Sequence, residues 1–109
     1  MSRVQLIIDV LSKIYPGAKI LTEYVIADRQ RLDIYIPLLK LAVEHNGIQH
    51  SNHVKFFHKT KLDFLEAQKR DKNKAQYCRD HNISLVIIDY NEEITEDLIK
   101  EKIRKALNA

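Results

Sequence analysis

Three consecutive strand-like segments constrain the fold of this chain more than any other feature. Residues 19–26, 31–36 and 39–45 are rich in β-branched and aromatic side chains, and Gly47 ends the third segment. Their short connections predict an antiparallel meander. In the second segment apolar and polar residues alternate, so we expect two sets on opposite faces: Leu32, Ile34 and Ile36 on one, and Arg31, Asp33 and Tyr35 on the other.

Helical segments flank the meander. Residues 2–15 and the residues from about Thr95 onward carry apolar side chains at helical spacing, and 61–81 predicts a longer, polar helix. Residues 83–90 are apolar on both faces, as expected for a central strand covered on both sides. The sequence therefore predicts an α/β fold of order α-β-β-β-α-β-α, in which helices flank a mixed four-stranded sheet.

Length and composition narrow the class of protein. The 109 residues suit one domain, 1–109, and no apolar run approaches the roughly 20 residues that span a bilayer, so we expect no membrane partner. The first residues lack a signal-peptide layout. Cys78 is the only cysteine, which predicts no internal disulfide and a reducing, cytoplasmic setting. Residues 55–80 contain eight basic and four acidic side chains, and this excess of positive charge suits a protein that binds phosphates.

Two carboxylates fall on neighbouring strands of the predicted meander. Asp33 lies in the middle of one strand, and Glu44 and Asn46 share one face of the next. If these strands pair antiparallel, Asp33 and Glu44 can lie side by side, where their charges repel unless a cation lies between them or one is protonated. Oxygen ligands with open positions favour Mg²⁺ or Mn²⁺ over zinc. For either carboxylate alone, an ordinary outward-facing position is the simpler interpretation.

A dense polar run follows Glu44. It contains His45, Asn46, Gln49 and His50. His50 has the chemistry of a general base or acid near neutral pH, and Gln49 that of a residue that positions water or phosphate. A lone His in a loop is more often a surface residue, and a solvated loop amide explains Gln49 about as well as a binding role does.

These residues resemble a known nuclease motif. The stretches 31–37, 41–50, 70–78 and 83–90 are similar to the PD-(D/E)XK nuclease superfamily, in the branch of very-short-patch-repair (Vsr-like) endonucleases and related phage or homing endonucleases. The likeness covers roughly residues 20–90. The superfamily has a restriction-endonuclease-like αβββαβ core, which matches the element order predicted here, with a C-terminal helix added.

The resemblance implies a Mg²⁺- or Mn²⁺-dependent DNA endonuclease that hydrolyses phosphodiester bonds with a metal-activated water. It implies that Asp33 and Glu44 bind the metal together with a nearby main-chain carbonyl, and that His50 handles the proton. Asp71 and Lys74, three residues apart on one helix, then complete the site. Lys74 would stabilise the charge that develops on the phosphate. Without the resemblance, Asp71 and Lys74 form an ordinary surface pair.

One position departs from the motif. Asn46 stands where the superfamily usually has Lys and where this branch commonly has Asp. Its amide keeps an acceptor oxygen for a metal but removes a charge, so a lower metal affinity is expected. A natural active variant, an inactivating substitution and a site that relies on Asp71 instead all remain open. Glu23, on the first strand, is a further candidate carboxylate.

Basic and polar side chains flank the predicted site and are expected to contact DNA phosphates, which fix position but not sequence. They are Arg29, Arg31, Gln49, Lys55, Lys59 and Lys61. One site in a small domain cuts one strand, so double-strand cleavage would need a homodimer or two events. The resemblance also implies a bacterial or phage-encoded protein.

Three other functions fit parts of the sequence. A His-Asn-His-type nuclease is suggested by His45 and Asn46 with the later His53 and His58, but that fold places its histidines on a hairpin followed by a helix. A structural zinc loop would use histidines without paired cysteines, which is uncommon. A nuclease-fold DNA-binding module with weak or no catalysis follows if Asn46 abolishes metal binding.

Overall fold

The computed structural model describes residues 2–47 and 61–108. Within these ranges the elements confirm the predicted order. They are the helices α1 (Arg3–Ile14), α2 (Lys61–Asp80) and α3 (Glu96–Leu107), and the strands β1 (Leu21–Val25), β2 (Arg31–Ile36), β3 (Leu41–Asn46) and β4 (Ser84–Asp89). Two short 3₁₀ turns, Ala27–Arg29 and Pro37–Leu39, join the strands of the meander.

Side-chain caps fix where two of the helices begin. The Oγ of Ser2 accepts a hydrogen bond from the amide of Gln5 at 3.0 Å, and Thr95 Oγ1 accepts one from the amide of Leu98 at 3.1 Å. Each cap satisfies one of the amides that the first turn of a helix leaves without a partner. The sequence therefore sets the entry points of α1 and α3 locally.

The four strands form one mixed sheet in the order β1-β2-β3-β4. β1 with β2 and β2 with β3 pair antiparallel, and β3 with β4 pairs parallel, so the predicted meander is confirmed. The prediction of a central strand at 83–90 is wrong. Among the described residues β4 pairs with β3 alone and lies at the sheet edge, and Ile87 is 42% exposed. Its continuous apolar run reflects helices packed on parts of both faces rather than strands on both sides.

Helices cover both faces of the sheet and make two cores. α1 and α3 pack on the back face, where the fully buried side chains include Ile7, Leu11, Ile34, Ile36, Leu41, Ile88 and Ile99. α2 covers the front face, where Tyr35, Ala42, Cys78 and Ile83 cluster. Each fully buried Ile or Leu stabilises the fold by about 1.5–3 kcal/mol relative to an exposed position. The back core is therefore the main source of stability.

The front face differs from the predicted alternation in two places. Tyr35 is 8% exposed because α2 lies over the face on which polar residues were expected to be solvated. Leu32 is buried in the front cluster and not with Ile34 and Ile36. On α2 itself, Leu62 and Leu65 are 63% and 47% exposed, as suits the predicted polar helix.

Two further expectations have outcomes here. Cys78 is a buried free thiol, as expected of a small core residue, and burial raises the pKa of that thiol. In the part of the chain that the structure describes, no helix is long and apolar enough to cross a membrane.

Candidate active site

Asp33 and Glu44 lie opposite each other on the front face. The β2–β3 ladder runs from Ile36↔Leu41 to Ile34↔Val43, and one further step in this register brings Asp33 to Glu44. Antiparallel partners project to the same side of a sheet, and the neighbouring pair Tyr35↔Ala42 lies in the front core. The predicted side-by-side placement of the two carboxylates is therefore what the structure has.

Each of the two carboxylates accepts a hydrogen bond from a main-chain amide of the other strand. The amide of Asp33 donates to Glu44 Oε2 at 2.5 Å, and the amide of His45 donates to Asp33 Oδ2 at 2.9 Å. Beyond the last main-chain pair of the β2–β3 ladder, hydrogen bonds from main chain to side chain thus join the two strands. Hydrogen bonds to an ionised acceptor are stronger than neutral ones, so both carboxylates are held in fixed orientations.

Lys74 reaches this pair from α2. Its Nζ lies 2.7 Å from Glu44 Oε1, with side-chain exposures of 23% for Lys74 and 9% for Glu44. Burial raises the pKa of the Glu44 carboxyl, against the opposite effect of the Lys74 ammonium and the Asp33 amide, and the nearby Asp33 charge raises it further. A desolvated carboxylate, a second carboxylate and an ammonium thus lie together on the front face.

A cleft of about 460 Å³ opens beside this group, between the start of β2 and α2. It is lined by Glu23, Arg29, Gln30, Arg31, Asp33, Arg70, Asp71 and Lys74. Asp71 and Lys74 face the same cleft, as their spacing on the helix predicts, and Arg29 and Arg31 line it as well. The structure therefore brings five of the predicted site residues to one opening, Asp33, Asp71, Lys74, Arg29 and Arg31. Glu44 lies beside it, hydrogen-bonded to Lys74 and to the Asp33 amide.

Asn46 is less closely tied to the group. It ends β3, two residues beyond Glu44, and stands opposite Asp89 of β4 in the register. Within the described ranges no hydrogen bond joins its side chain to Asp33, Glu44 or Lys74.

The donor set suits a hard cation. Across residues 2–47 and 61–108 no group of three or more His, Cys, Asp or Glu side chains is arranged to hold a metal. Mg²⁺, however, usually keeps several waters and takes only one or two carboxylates from the protein. Each oxygen of Glu44 already accepts one hydrogen bond, and a carboxylate offers about four lone-pair positions in all. Asp33 and Glu44 thus fit a water-rich Mg²⁺ or Mn²⁺ site.

Four predicted site residues lie outside the described residues: Gln49, His50, Lys55 and Lys59. Their predicted roles, and those of His53 and His58 in the rival interpretations, stay predictions. Lys61 is the exposed first residue of α2 and is not among the residues that line the cleft.

A polar network on the back face was not predicted. His45 follows Glu44 in β3, so its side chain points to the opposite face, where Arg3 Nε donates to His45 Nε2 at 2.9 Å. Arg3 Nη2 also donates to the carbonyls of Asp89, at 3.2 Å, and Glu92, at 2.5 Å. Burial, with Arg3 next, lowers the pKa of His45. No spacing in the sequence joins Arg3 to residues so far along the chain.

A His-Asn-His-type site would use the His45 ring, so the direction of that ring bears on this interpretation. The His45 ring accepts from Arg3 behind the sheet, while the His45 main-chain amide reaches Asp33 in front.

The sequence analysis also missed Arg70 and Gln30, which line the cleft. Arg70 lies four residues before Lys74, and this i, i+4 spacing on one helix was the signal that placed it at the same cleft.

The known proteins to which this chain is similar include viral proteins whose names state no activity. No protein-family model matches the chain. It is 44% identical over 59 residues to uncharacterized protein 307L of Invertebrate iridescent virus 6, a match that covers 54% of this chain and 30% of that protein. It is 31% identical over 65 residues to uncharacterized protein 033L of Invertebrate iridescent virus 3, covering 60% and 34%.

A third relative is uncharacterized protein 094L of Frog virus 3 (isolate Goorha). It is 32% identical over 71 residues, covering 64% of this chain and 46% of the relative. The chain thus spans 30–46% of the length of these relatives. The bacterial or phage origin expected from the resemblance stays a prediction, since these three relatives come from iridescent viruses and a frog virus.

Proposed function

We propose that this chain is a metal-dependent DNA endonuclease of the PD-(D/E)XK type, which hydrolyses phosphodiester bonds with a metal-activated water. One observation carries the proposal. The ammonium of Lys74 lies 2.7 Å from a buried carboxylate of Glu44, which is itself bonded to the main chain of Asp33, beside a cleft that three arginines line. Two carboxylates can hold a metal that activates a water, and an ammonium beside them can stabilise the charge that develops on a phosphate, so this group supports phosphodiester hydrolysis.

Lys74 supplies the positive charge that the motif lacks at Asn46. The motif lysine normally follows the acid by two residues on the same strand, and here an amide stands there. α2 supplies an ammonium to the same carboxylate from across the front face. The site therefore retains a cation beside Glu44 although β3 does not provide it.

Each residue then has a role that its contacts support. Asp33 and Glu44 would hold Mg²⁺ or Mn²⁺, and this metal, when bound, would polarise the phosphate and activate a water. The His45 amide keeps Asp33 oriented. Lys74 orients Glu44 and offers positive charge to the phosphate in the transition state, and Asp71 shares its cleft wall. His50 is proposed as the residue that handles the proton, from the resemblance alone.

Plasmid cleavage with Mg²⁺, Mn²⁺ or EDTA tests the proposal. We expect Asp33→Ala to abolish cleavage and Lys74→Ala to lower its rate by about 10²–10³-fold, the scale measured for loss of one group that stabilises transition-state charge. Lys72→Ala is the matched control, because Lys72 is an exposed lysine of the same helix that does not line the cleft. Undiminished cleavage by purified Asp33→Ala would reject the site.

The second candidate is a DNA-binding module of the same fold with little or no catalysis. It is favoured by the state of Glu44, whose two oxygens both accept hydrogen bonds from the protein, and by the neutral side chain of Asn46. An inactive wild type that binds DNA and gains cleavage in Asn46→Asp would select this candidate. Wild-type cleavage in Mg²⁺ would exclude it.

A further inference from the structure

Arginines line both walls of the cleft beside Asp33. Arg29 and Arg31 enter it from the turn before β2 and from the strand itself, and Arg70 enters it from α2 on the opposite wall. With Lys74 these make four cations among the lining residues, against the three acids Glu23, Asp33 and Asp71. The arginines are thus largely balanced by acids within the same opening.

Two of the lining residues have an unusual backbone. Glu23, inside β1, has φ 51°, and Arg29, at the end of the 3₁₀ turn, has φ 61°. Non-glycine residues adopt the left-handed region at a cost, and such residues concentrate at functional sites. A Glu and an Arg held this way at one cleft indicate that the surrounding structure places their side chains there.

Glu23 faces a cation of the cleft. Its Oε2 lies 3.9 Å from Arg31 Nη1, and the two side chains are 65% and 59% exposed. An ion pair so long and so exposed is weak, with a typical contribution of about 0–1 kcal/mol. A phosphate offers the same guanidinium two short, charge-assisted hydrogen bonds. An incoming phosphate can therefore replace Glu23 as the partner of Arg31.

We propose that this cleft binds the sugar–phosphate backbone of a single nucleic-acid strand, with Arg31 and Arg70 as phosphate ligands on its two walls. Glu23 holds Arg31 until a phosphate of the strand displaces it. The inference rests on the proposed function for the choice of DNA as the polymer. The opening, about 460 Å³ between β2 and α2, has room for one backbone between its two walls. A charged groove that tracks one backbone is how proteins hold unpaired strands.

Fluorescence anisotropy with a labelled single-stranded oligodeoxynucleotide in EDTA tests binding without cleavage. Arg31→Ala and Arg70→Ala should each weaken binding by about three- to tenfold at moderate salt, and each should reduce the slope of log K against log salt by about 0.7. Lys72→Ala is the matched control that removes a charge from α2 outside the cleft, and it should change binding less than about twofold.

The Glu23 variant gives the sharper result, because a Glu23 that bound the strand or stabilised the fold would make Glu23→Gln bind the strand more weakly. Glu23→Gln should tighten strand binding by about threefold, since it removes a competing anion from the cleft. Glu96→Gln, which breaks an exposed pair with Lys100 on α3, should leave binding unchanged. Thermal unfolding of each variant checks that the fold is retained.

Three results would overturn the inference: arginine variants that bind like the wild type, weaker binding by Glu23→Gln, or tighter binding of a duplex of the same sequence than of the single strand. The outcome is separable from that of the proposed function. A chain that binds the strand through Arg31 and Arg70 but never cleaves it rejects the nuclease and leaves the cleft assignment intact. Cleavage with binding insensitive to both arginines does the reverse.

Discussion

Glu44 and His45 are neighbours on β3, and the two faces of the sheet treat their side chains differently. On the front, Glu44 accepts from the ammonium of Lys74 next to an open cleft. On the back, the ring of His45 accepts from Arg3, which also bonds two main-chain carbonyls at the end of β4 and beyond it. On the front face, a ligand can replace the partners of the charged side chains. On the back face, the guanidinium of Arg3 is hydrogen-bonded to main-chain carbonyls.

The difference teaches where this small fold places stability and where it places chemistry. The back core contains nearly all of the fully buried large side chains, from α1, α3 and three strands. The front core is smaller, and its covering helix buries only Ala67 and Cys78. A desolvated carboxylate on the front is tolerable because the back face already supplies the free energy of folding.

The largest expected effect compares two consecutive residues of β4. Ile88 is fully buried in the back core, and Ile87 is 42% exposed on the other face. Ile88→Ala should lower the free energy of unfolding by about 2–5 kcal/mol, from lost burial and the cavity left behind. Ile87→Ala should cost less than about 1 kcal/mol. Urea unfolding followed by circular dichroism measures both, and equal losses would contradict the assignment of stability to the back face.

A double-mutant cycle on Glu44 and Lys74 sharpens the comparison from the front. Lys74→Met leaves a buried carboxylate without its cation and should destabilise the fold by about 1–3 kcal/mol. In the Glu44→Gln, Lys74→Met double variant most of that loss should return, because no buried charge remains. The coupling comes from the same unfolding curves. Strictly additive losses would show that the two side chains do not interact in solution.

Arg3 offers the matching test on the back. Arg3→Ala removes hydrogen bonds to His45 and to two carbonyls, so we expect a loss of about 1–2 kcal/mol in the free energy of unfolding. Arg104→Ala is its control, since among the described residues Arg104 pairs with Glu101 on the exposed face of α3, and its loss should have an effect within about 0.5 kcal/mol. In cleavage, Arg3→Ala should retain far more activity than Lys74→Ala. The reverse order would mean that the back network contributes directly to the chemistry.

The sequence predicts what depends on local pattern. Alternation in β2 and helical spacing in α1 and α3 were sufficient to predict the element order. Period-two spacing, with antiparallel pairing of neighbouring strands, predicted that Asp33 and Glu44 lie side by side. The edge position of β4 was missed, because an apolar run does not distinguish strand neighbours from covering helices. The contact of Lys74 with Glu44 spans 30 residues and depends on how α2 lies over the sheet, which no spacing encodes. Arg3 and His45, 42 residues apart, were missed for the same reason.

The smallest expected effect lies at Glu92, at the edge of the back network. Its carboxylate accepts from the Asp89 amide at 2.9 Å and pairs with Lys102 at 3.1 Å, and the amide above all lowers the pKa of Glu92. A carboxyl whose pKa is lower in the folded state adds stability above its ordinary value near 4.5, and this is lost as the pH falls through the folded value. Because the side chain is about a quarter exposed, solvent screening limits the gain to a few tenths of a kcal/mol.

Glu92→Gln should therefore be slightly less stable than the wild type at neutral pH, and the difference should shrink below pH 4.5 as Glu92 is protonated in both states. Glu93→Gln, an exposed neighbour, serves as the control and should match the wild type across the range. Thermal unfolding from pH 7 down to the acid limb measures the difference. A stability difference that grows as the pH falls would show that the Glu92 carboxylate is not the stabilising charge. Arg3 would then be the main link between the end of β4 and the strand that holds Glu44.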